Sequence, residues 1–140
     1  MLVIDTNVAS ELMRPVPTPA VAAWIADRDQ AEMYLTAVSQ AELLFGVAIL
    51  PAGRRRNALE AAMNEWLDVG FAGRILPFES AAARVYAEIA AHRRQAGRPI
   101  GEADCQIAAI SRSCGASLVT RNVRDFQGTG VEVVDPWAPG

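Results

Sequence analysis

Two kinds of hydrophobic pattern alternate along this chain: short apolar runs, and longer segments in which apolar residues recur at helical spacing. The short runs predict strands at 2–5, 33–37, 74–76, 117–119 and 131–134. The longer segments predict helices at 6–13, 18–27, 39–49, 53–68, 79–96 and 102–113. This regular alternation indicates one domain over residues 1–140.

The connections between successive predicted strands are too long for hairpins, which indicates a parallel sheet covered by helices on both faces. In such a sheet the ligand crevice lies beyond the carboxyl ends of the strands. Asp5 lies at such an end after the first predicted strand, and the segment from Thr120 to Asp125 follows another. The polar residues at these two places are therefore the first candidates for a functional site.

Composition limits the class of protein. Of the 140 residues, 51% are hydrophobic, and the mean hydropathy of +0.14 is typical of a chain that folds around a core. No apolar stretch approaches the roughly 18 residues of a membrane span, and the N-terminus lacks a signal-peptide pattern. Cys105 lies in the predicted helix 102–113 and Cys114 directly follows it, so the two are roughly 13 Å apart along one helical axis, which is too far for a disulfide. We therefore expect no membrane association and a reducing, cytoplasmic location.

The charges limit the chemistry further. The net charge is −3, and all 13 basic residues are arginine, a bias that a GC-rich genome also produces. Arg54, Arg55 and Arg56 form a cluster that suits either phosphate groups or a solvated helix face. The run 92–95, which contains the single histidine, is expected to be another solvated face. The absence of lysine excludes a P-loop and argues against haloacid-dehalogenase-like phosphatases and receiver domains, which need a lysine beside their acids.

Four acidic residues, Asp5, Glu42, Asp104 and Asp125, lie at predicted strand ends or helix starts. Each of them has a purely structural interpretation. Asp5 could cap the following helix, Asp125 could form a turn, and Asp104 could stabilise a helix dipole. Glu42 fits a capping box with Ser39 as N-cap, although it shares a helix face with apolar residues at i+3 and i+7.

Considered together, these acids favour another interpretation. Several carboxylates at one edge of a sheet repel one another unless a divalent cation joins them, and helix N-termini keep carboxylates ionised. Ligands that are all oxygen suit Mg²⁺ or Mn²⁺. The sequence therefore indicates an acidic metal pocket with Asp5 as one ligand.

A set of motifs runs in a specific order along nearly the whole chain. It consists of Ile4-Asp5-Thr6-Asn7-Val8, Ser39-Gln40-Ala41-Glu42-Leu43 followed by Gly46, Leu76-Pro77-Phe78-Glu79, Gly97-Arg98-Pro99-Ile100 leading to Asp104 and Ile107-Ala108-Ala109, Leu118-Val119-Thr120-Arg121-Asn122 before Asp125-Phe126, and Asp135-Pro136-Trp137. In order and spacing this set resembles the PIN domain, and specifically the VapC-like and FitB-like ribonuclease toxins of bacterial type II toxin–antitoxin pairs.

The resemblance implies an α/β fold, a PIN-like three-layer α/β/α arrangement with a central parallel sheet of about five short strands. It also implies a site, for which the predicted residues are Asp5, Glu42 and Asp104 as holders of Mg²⁺ or Mn²⁺, Thr6 and Asn7 as supports of Asp5, and Thr120 at the rim. Many family members have Asp at the position of Asn122. Either Asn122 or Asp125, one turn further, could complete the site, and we expect Asp125.

The function implied by the resemblance is that of a toxin, a metal-dependent ribonuclease neutralised by a cognate antitoxin and acting as a homodimer. Arg54, Arg55, Arg56 and Arg121 are the candidates for RNA phosphate contacts. The apolar residues Leu12, Met13, Val21 and Trp24 could receive an antitoxin helix, or they could belong to the core, which we expect for Trp24. Two alternatives stay open: a non-toxin PIN-like nuclease acting on DNA, and a degenerate PIN module that binds RNA or protein without cleavage.

Overall fold

Five short parallel strands form one sheet in the computed structural model, which describes residues 1–138. The strands are β1 (Leu2–Ile4), β2 (Met33–Thr36), β3 (Ile75–Leu76), β4 (Ser117–Val119) and β5 (Val133–Val134), and their spatial order is β3-β2-β1-β4-β5. All four neighbouring pairs are parallel. The strand order reverses between β1 and β4, and such a switch point is where α/β sheets open a crevice at the carboxyl ends of their strands.

The six predicted helices also form. They are α1 (Thr6–Leu12), α2 (Pro19–Ala26), α3 (Ala37–Ala48), α4 (Arg54–Glu65), α5 (Ser80–Gln95) and α6 (Glu102–Ser113). Short turns of other helical types, which the hydrophobic pattern did not predict, lie at Gln30–Glu32, Trp66–Gly70 and Val123–Phe126. Within residues 1–138 no helix is long and apolar enough to cross a membrane.

Two hydrophobic cores lie on opposite faces of the sheet. Successive strand residues point to opposite faces, so Ile4 and Val119 enter one core with α1, α2 and α4, whereas Val3 and Leu118 enter the other with α5 and α6. Residues of β1 and β4 are thus buried on both faces, which explains their unbroken apolar sequences. The predicted three-layer α/β/α fold is confirmed.

The candidate antitoxin-binding residues differ in exposure. Val21 is fully buried and Trp24 is 7% exposed, and both belong to the first core. The core interpretation of these two residues is therefore confirmed. Leu12 and Met13 are only partly buried, and Leu12 lines an apolar cleft together with Ile25 and residues near the end of α4.

Glu11 fastens the connection between α1 and α2. Its Oε1 accepts hydrogen bonds from the backbone N of Thr18 at 2.8 Å and from Thr18 Oγ1 at 2.5 Å, and its Oε2 pairs with Arg14 at 3.2 Å. Thr18 is the N-cap residue of α2. The Thr18 hydrogen bonds, with a smaller contribution from Arg14, lower the pKa of Glu11 to about 2.

Replacing Glu11 by Gln is expected to lower the Tm of the protein near neutral pH. Because the pKa of the folded carboxyl lies below its ordinary value of about 4.5, the stabilisation by the carboxylate is complete above that value and is lost as pH falls toward about 2. Thermal unfolding curves of Glu11→Gln and the unmodified protein should therefore converge at low pH. Glu60→Gln, at an exposed position of α4, is the control. A Tm difference for Glu11→Gln that is the same at every pH would contradict this assignment.

Candidate active site

Four carboxylates lie together at the carboxyl edge of the sheet. Asp5 directly follows β1, Glu42 lies in α3, Asp104 is in the first turn of α6, and Asp125 lies in the turn Val123–Phe126. Burial raises the pKa of Asp104 to about 6, and the charges of Asp5, Asp125 and Glu42 add to the rise. Because charge effects of this kind require short distances, the structure brings all four predicted acids together.

Asp5 is 4% exposed and caps α1, because its Oδ1 accepts a hydrogen bond from the backbone N of Thr6 at 2.8 Å. Its Oδ2 accepts hydrogen bonds from Thr120 Oγ1 at 2.7 Å and from Asn7 Nδ2 at 3.1 Å. Burial raises the pKa of Asp5, these hydrogen bonds oppose the rise, and the charge of Glu42 adds to it. Capping a helix and forming the wall of a pocket are therefore compatible roles for this carboxylate.

The predicted supporting residues join the ends of β1 and β4 in one hydrogen-bond network. Asn7 Nδ2 donates to Thr120 Oγ1 at 3.1 Å, and Asn7 Oδ1 accepts from the backbone N of Arg121 at 3.2 Å. Thr120 Oγ1 also accepts from the backbone N of Asn122 at 3.0 Å. The network fixes Asp5 in place and sets the path of the chain that leads to Asp125.

Thr6 positions Glu42. Thr6 Oγ1 is 2.8 Å from Glu42 Oε1 and 2.9 Å from Ser39 Oγ, so it is hydrogen-bonded to both. The predicted capping box is wrong: α3 begins at Ala37, and its N-cap is Thr36, whose Oγ1 accepts a hydrogen bond from the backbone N of Ser39. Because Glu42 lies in the second turn of α3, its carboxylate bonds to Thr6 instead of the Ser39 amide.

The expected apolar surroundings of Glu42 are also wrong. Phe45 and Ile49, the residues at i+3 and i+7, are each 65% exposed. They form an exposed apolar face on α3 and do not bury the Glu42 carboxylate, which is itself exposed.

None of the four acids is neutralised by a salt bridge within residues 1–138. The ion pairs in this part of the chain join the N-terminus to Glu32, Arg14 to Glu11, and Arg112 to Glu88. Asp104 is half-buried on the helix that also carries the buried residues Ile107 and Ala108. The site therefore concentrates negative charge, which a cationic ligand would offset.

Arg93 lies buried between α5 and the turn that contains Asp125. It is 6% exposed. Its Nη1 donates to the carbonyl oxygens of Asp125 at 2.8 Å and Gln127 at 3.0 Å, and its Nε donates to the carbonyl of Arg98 at 2.6 Å. Its charge also lowers the pKa of Asp104, against the larger effects of burial and of the other acids. Arg93 thus fixes the position of Asp125 relative to α5.

The prediction that Arg93 belongs to a solvated face is therefore wrong, although its neighbours His92 and Arg94 are exposed. The burial of Arg93 could have been inferred from its position four residues after Ile89, which places it on the buried side of α5. Its polar neighbours in the sequence concealed that periodicity.

The possible metal ligands at this site are the oxygen atoms of the four carboxylates. Oxygen ligands suit a hard divalent cation, and no salt bridge within residues 1–138 offsets the negative charge of these groups. Within residues 1–138, however, no three His, Cys, Asp or Glu side chains lie close enough to hold a metal ion jointly. Direct coordination by three carboxylates therefore requires their side chains to rotate toward a common point.

The two groups of candidate RNA-binding arginines lie in different places. Arg121 follows Thr120 directly at the acidic site. Arg56, in the Arg54–Arg56 cluster that begins α4, shares a cleft with Ala48 at the far end of α3, roughly 9 Å along the helix axis from Glu42. The structure therefore places the backbone of Arg121 at the acidic site, and it places Arg56 against the C-terminal half of α3.

Comparison with known proteins gives consistent similarities. The PIN domain model matches residues 2–131. VapC ribonuclease Y4jK of Sinorhizobium fredii is 40% identical over 139 residues, which cover 99% of each chain. Toxin FitB of Neisseria gonorrhoeae is 38% identical over 137 residues, which cover 98% of this chain and 99% of the relative.

A solved structure has the same overall fold. The crystal structure of FitAcB from Neisseria gonorrhoeae has a chain that is 38% identical to this one, with a TM-score of 0.88. The similarity covers 98% of this chain and 99% of that chain.

Proposed function

This chain belongs to the PIN domain family, and from that premise we propose that it is the toxin of a type II toxin–antitoxin pair and a metal-dependent ribonuclease. The single observation that most supports a catalytic role is the convergence of Asp5, Glu42, Asp104 and Asp125, in which burial and the charges of the other three acids raise the pKa of Asp104. A purely structural cluster would be expected to contain a paired cation. The names of the relatives, a VapC ribonuclease and the toxin FitB, support the same activity.

In the proposed mechanism, Asp5 and Asp104 would hold Mg²⁺ or Mn²⁺, and Asp125 would complete the site. When bound, the cation would supply positive charge against the negative charge that develops on the phosphate. Glu42 orients the attacking water and takes its proton, while a P–O bond forms to the water oxygen, a P–O bond to a ribose oxygen breaks, and that leaving oxygen takes up a proton from solvent. Thr6 holds the Glu42 carboxylate in position for this proton transfer.

The proposal includes a cognate antitoxin and a homodimer. The apolar cleft lined by Leu12 and Ile25 is a surface that an antitoxin segment could fill. The exposed side chains of Phe45 and Ile49 support contact with a second copy, because large apolar groups on a protein surface favour association.

The test is cleavage of structured RNA by purified, antitoxin-free protein, with Mg²⁺ or Mn²⁺ and with EDTA, beside single-stranded and double-stranded DNA of the same sequence. Cleavage of RNA that requires the metal supports the proposal. Preferential cleavage of DNA would indicate the alternative nuclease. RNA binding without cleavage at any metal concentration would indicate a degenerate binding module.

Replacing Thr6 by Val is expected to reduce the rate of cleavage roughly 10-fold or more, because the Glu42 carboxylate loses the hydroxyl that holds it. Thr6→Ser keeps the hydroxyl and should retain most of the activity. Rates measured at saturating metal, together with the Tm of each variant, check this prediction. Equal rates for Thr6→Val and Thr6→Ser would show that Thr6 does not position Glu42.

A further inference from the structure

Arg121 and Trp137 form a stacked pair beside the acidic site. The guanidinium carbon of Arg121 lies 5.0 Å from the centre of the Trp137 ring, a distance at which a cation is attracted to an aromatic face. Arg121 is exposed, whereas Trp137 is partly buried against the first core. The Trp137 backbone N also donates to Asp135 Oδ1 at 2.9 Å, so the indole projects from a fixed turn.

The pair is connected to the carboxylates by a continuous series of hydrogen bonds. The backbone N of Arg121 donates to Asn7 Oδ1 at 3.2 Å, and Asn7 Nδ2 donates to Asp5 Oδ2 at 3.1 Å. Arg121 also follows Thr120, which contacts Asp5 directly. The backbone of Arg121 is therefore fixed by the same residues that fix Asp5.

Arg121 differs from the arginines whose guanidinium groups are already bound within the chain. Arg93 is buried and donates to three carbonyls, and Arg14 and Arg112 form salt bridges. Arg121 takes part in no salt bridge with another residue of 1–138. A guanidinium that is exposed, stacked and without a carboxylate partner is well suited to bind a phosphate group.

An RNA strand that enters a site with four carboxylates meets electrostatic repulsion. We propose that Arg121, held by Trp137, forms a phosphate subsite that places the RNA backbone at the acidic pocket; this inference rests on the proposed ribonuclease function. Trp137 is a positioning residue, which limits the conformations of the Arg121 side chain and so reduces the entropy lost on binding.

The experiment measures binding of a fluorescein-labelled oligouridylate of about twelve nucleotides by fluorescence anisotropy, in EDTA and over a range of salt concentrations. Arg121→Ala is expected to weaken binding roughly 5- to 10-fold at low salt and to reduce the slope of log K against log salt by about 0.7. Arg121→Lys should keep most of that slope. Arg84→Ala removes the same charge from an exposed position of α5 and should leave the slope unchanged.

Trp137→Leu is expected to weaken binding roughly 2- to 5-fold in the unmodified protein and to have no effect in the Arg121→Ala background. Equal effects of Trp137→Leu in both backgrounds would show that Trp137 does not act through Arg121. A slope that changes no more in Arg121→Ala than in Arg84→Ala, or no RNA binding by the unmodified protein at low salt, would overturn the subsite.

An RNA cleavage assay with Mg²⁺ distinguishes failure of the phosphate subsite from failure of the proposed ribonuclease function. Normal RNA cleavage together with a negative binding result rejects the subsite and leaves the ribonuclease assignment intact. The expected binding results without cleavage support the subsite as an RNA contact and reject the ribonuclease assignment.

Discussion

Replacing Asp104 by Asn is expected to reduce metal-dependent RNA cleavage by at least about 100-fold and, in the absence of metal, to make the protein more stable. The pKa of Asp104 is raised to about 6 by burial and by Asp5, Asp125 and Glu42. Its ionised form therefore destabilises the fold at neutral pH, and a neutral amide of the same size removes that cost. We expect a gain of about 1 kcal/mol after allowance for solvent screening, which is a rise of roughly 2–4 °C in Tm.

The effect on stability has a defined pH dependence. Folding favours the protonated carboxyl of Asp104, so the unfavourable contribution grows as pH rises from the ordinary pKa of 3.8 to about 6 and is constant above that. The Tm values of Asp104→Asn and the unmodified protein should coincide below about pH 4. Glu102→Gln, at an exposed position in the same helical turn, is the control and should retain cleavage. Full activity of Asp104→Asn would indicate a contaminating nuclease or a different site.

Replacing Arg93 by Met is expected to cause the largest loss of stability among the changes considered, about 3 kcal/mol or more. The substitution leaves the carbonyls of Asp125, Gln127 and Arg98 without their charged donor and preserves only the packing of the aliphatic chain. For a domain of this size, a loss of that magnitude lowers Tm by roughly 10 °C. Metal affinity should also fall, because the turn that contains Asp125 loses its attachment to α5.

Arg94→Met is the matched control for this change, since Arg94 is exposed on the same helix and carries the same charge. Its Tm should lie close to that of the unmodified protein. Arg93→Lys keeps the charge but offers a single ammonium group where three carbonyls are bound, so it should recover only part of the stability. Similar Tm values for Arg93→Met and Arg94→Met would contradict the role assigned to Arg93.

The main features of the fold could be predicted from the sequence because strands that are buried on both faces are short apolar runs. The runs at β1 and β4 have this form, and their ends supplied Asp5 and the segment from Thr120. The start of α3 was less predictable. Thr36 and Ser39 are three residues apart, and either of them can cap a helix. No loop separates β2 from α3, so Thr36 is the N-cap and the helix begins two residues before the predicted position.

Features that depend on distant contacts could not be read from local pattern. Arg93 is buried because carbonyls more than thirty residues further along the chain, those of Asp125 and Gln127, accept its hydrogen bonds. The clustered arginines Arg54–Arg56 are conspicuous in the sequence, yet Arg56 packs against the C-terminal half of α3, beyond Glu42. The sequence indicated which residue types were available, and the packing of helices determined which of them meet.

Binding of Mn²⁺ to antitoxin-free protein, followed near neutral pH by loss of the free-ion signal in electron paramagnetic resonance, tests whether the four carboxylates form a metal site. We expect saturable binding for which Mg²⁺ competes. This binding should be weakened at least about 10-fold in Asp104→Asn and unchanged in Glu102→Gln. Absence of saturable binding, or equal binding by Asp104→Asn, would contradict the claim that these four carboxylates form a metal-dependent catalytic site.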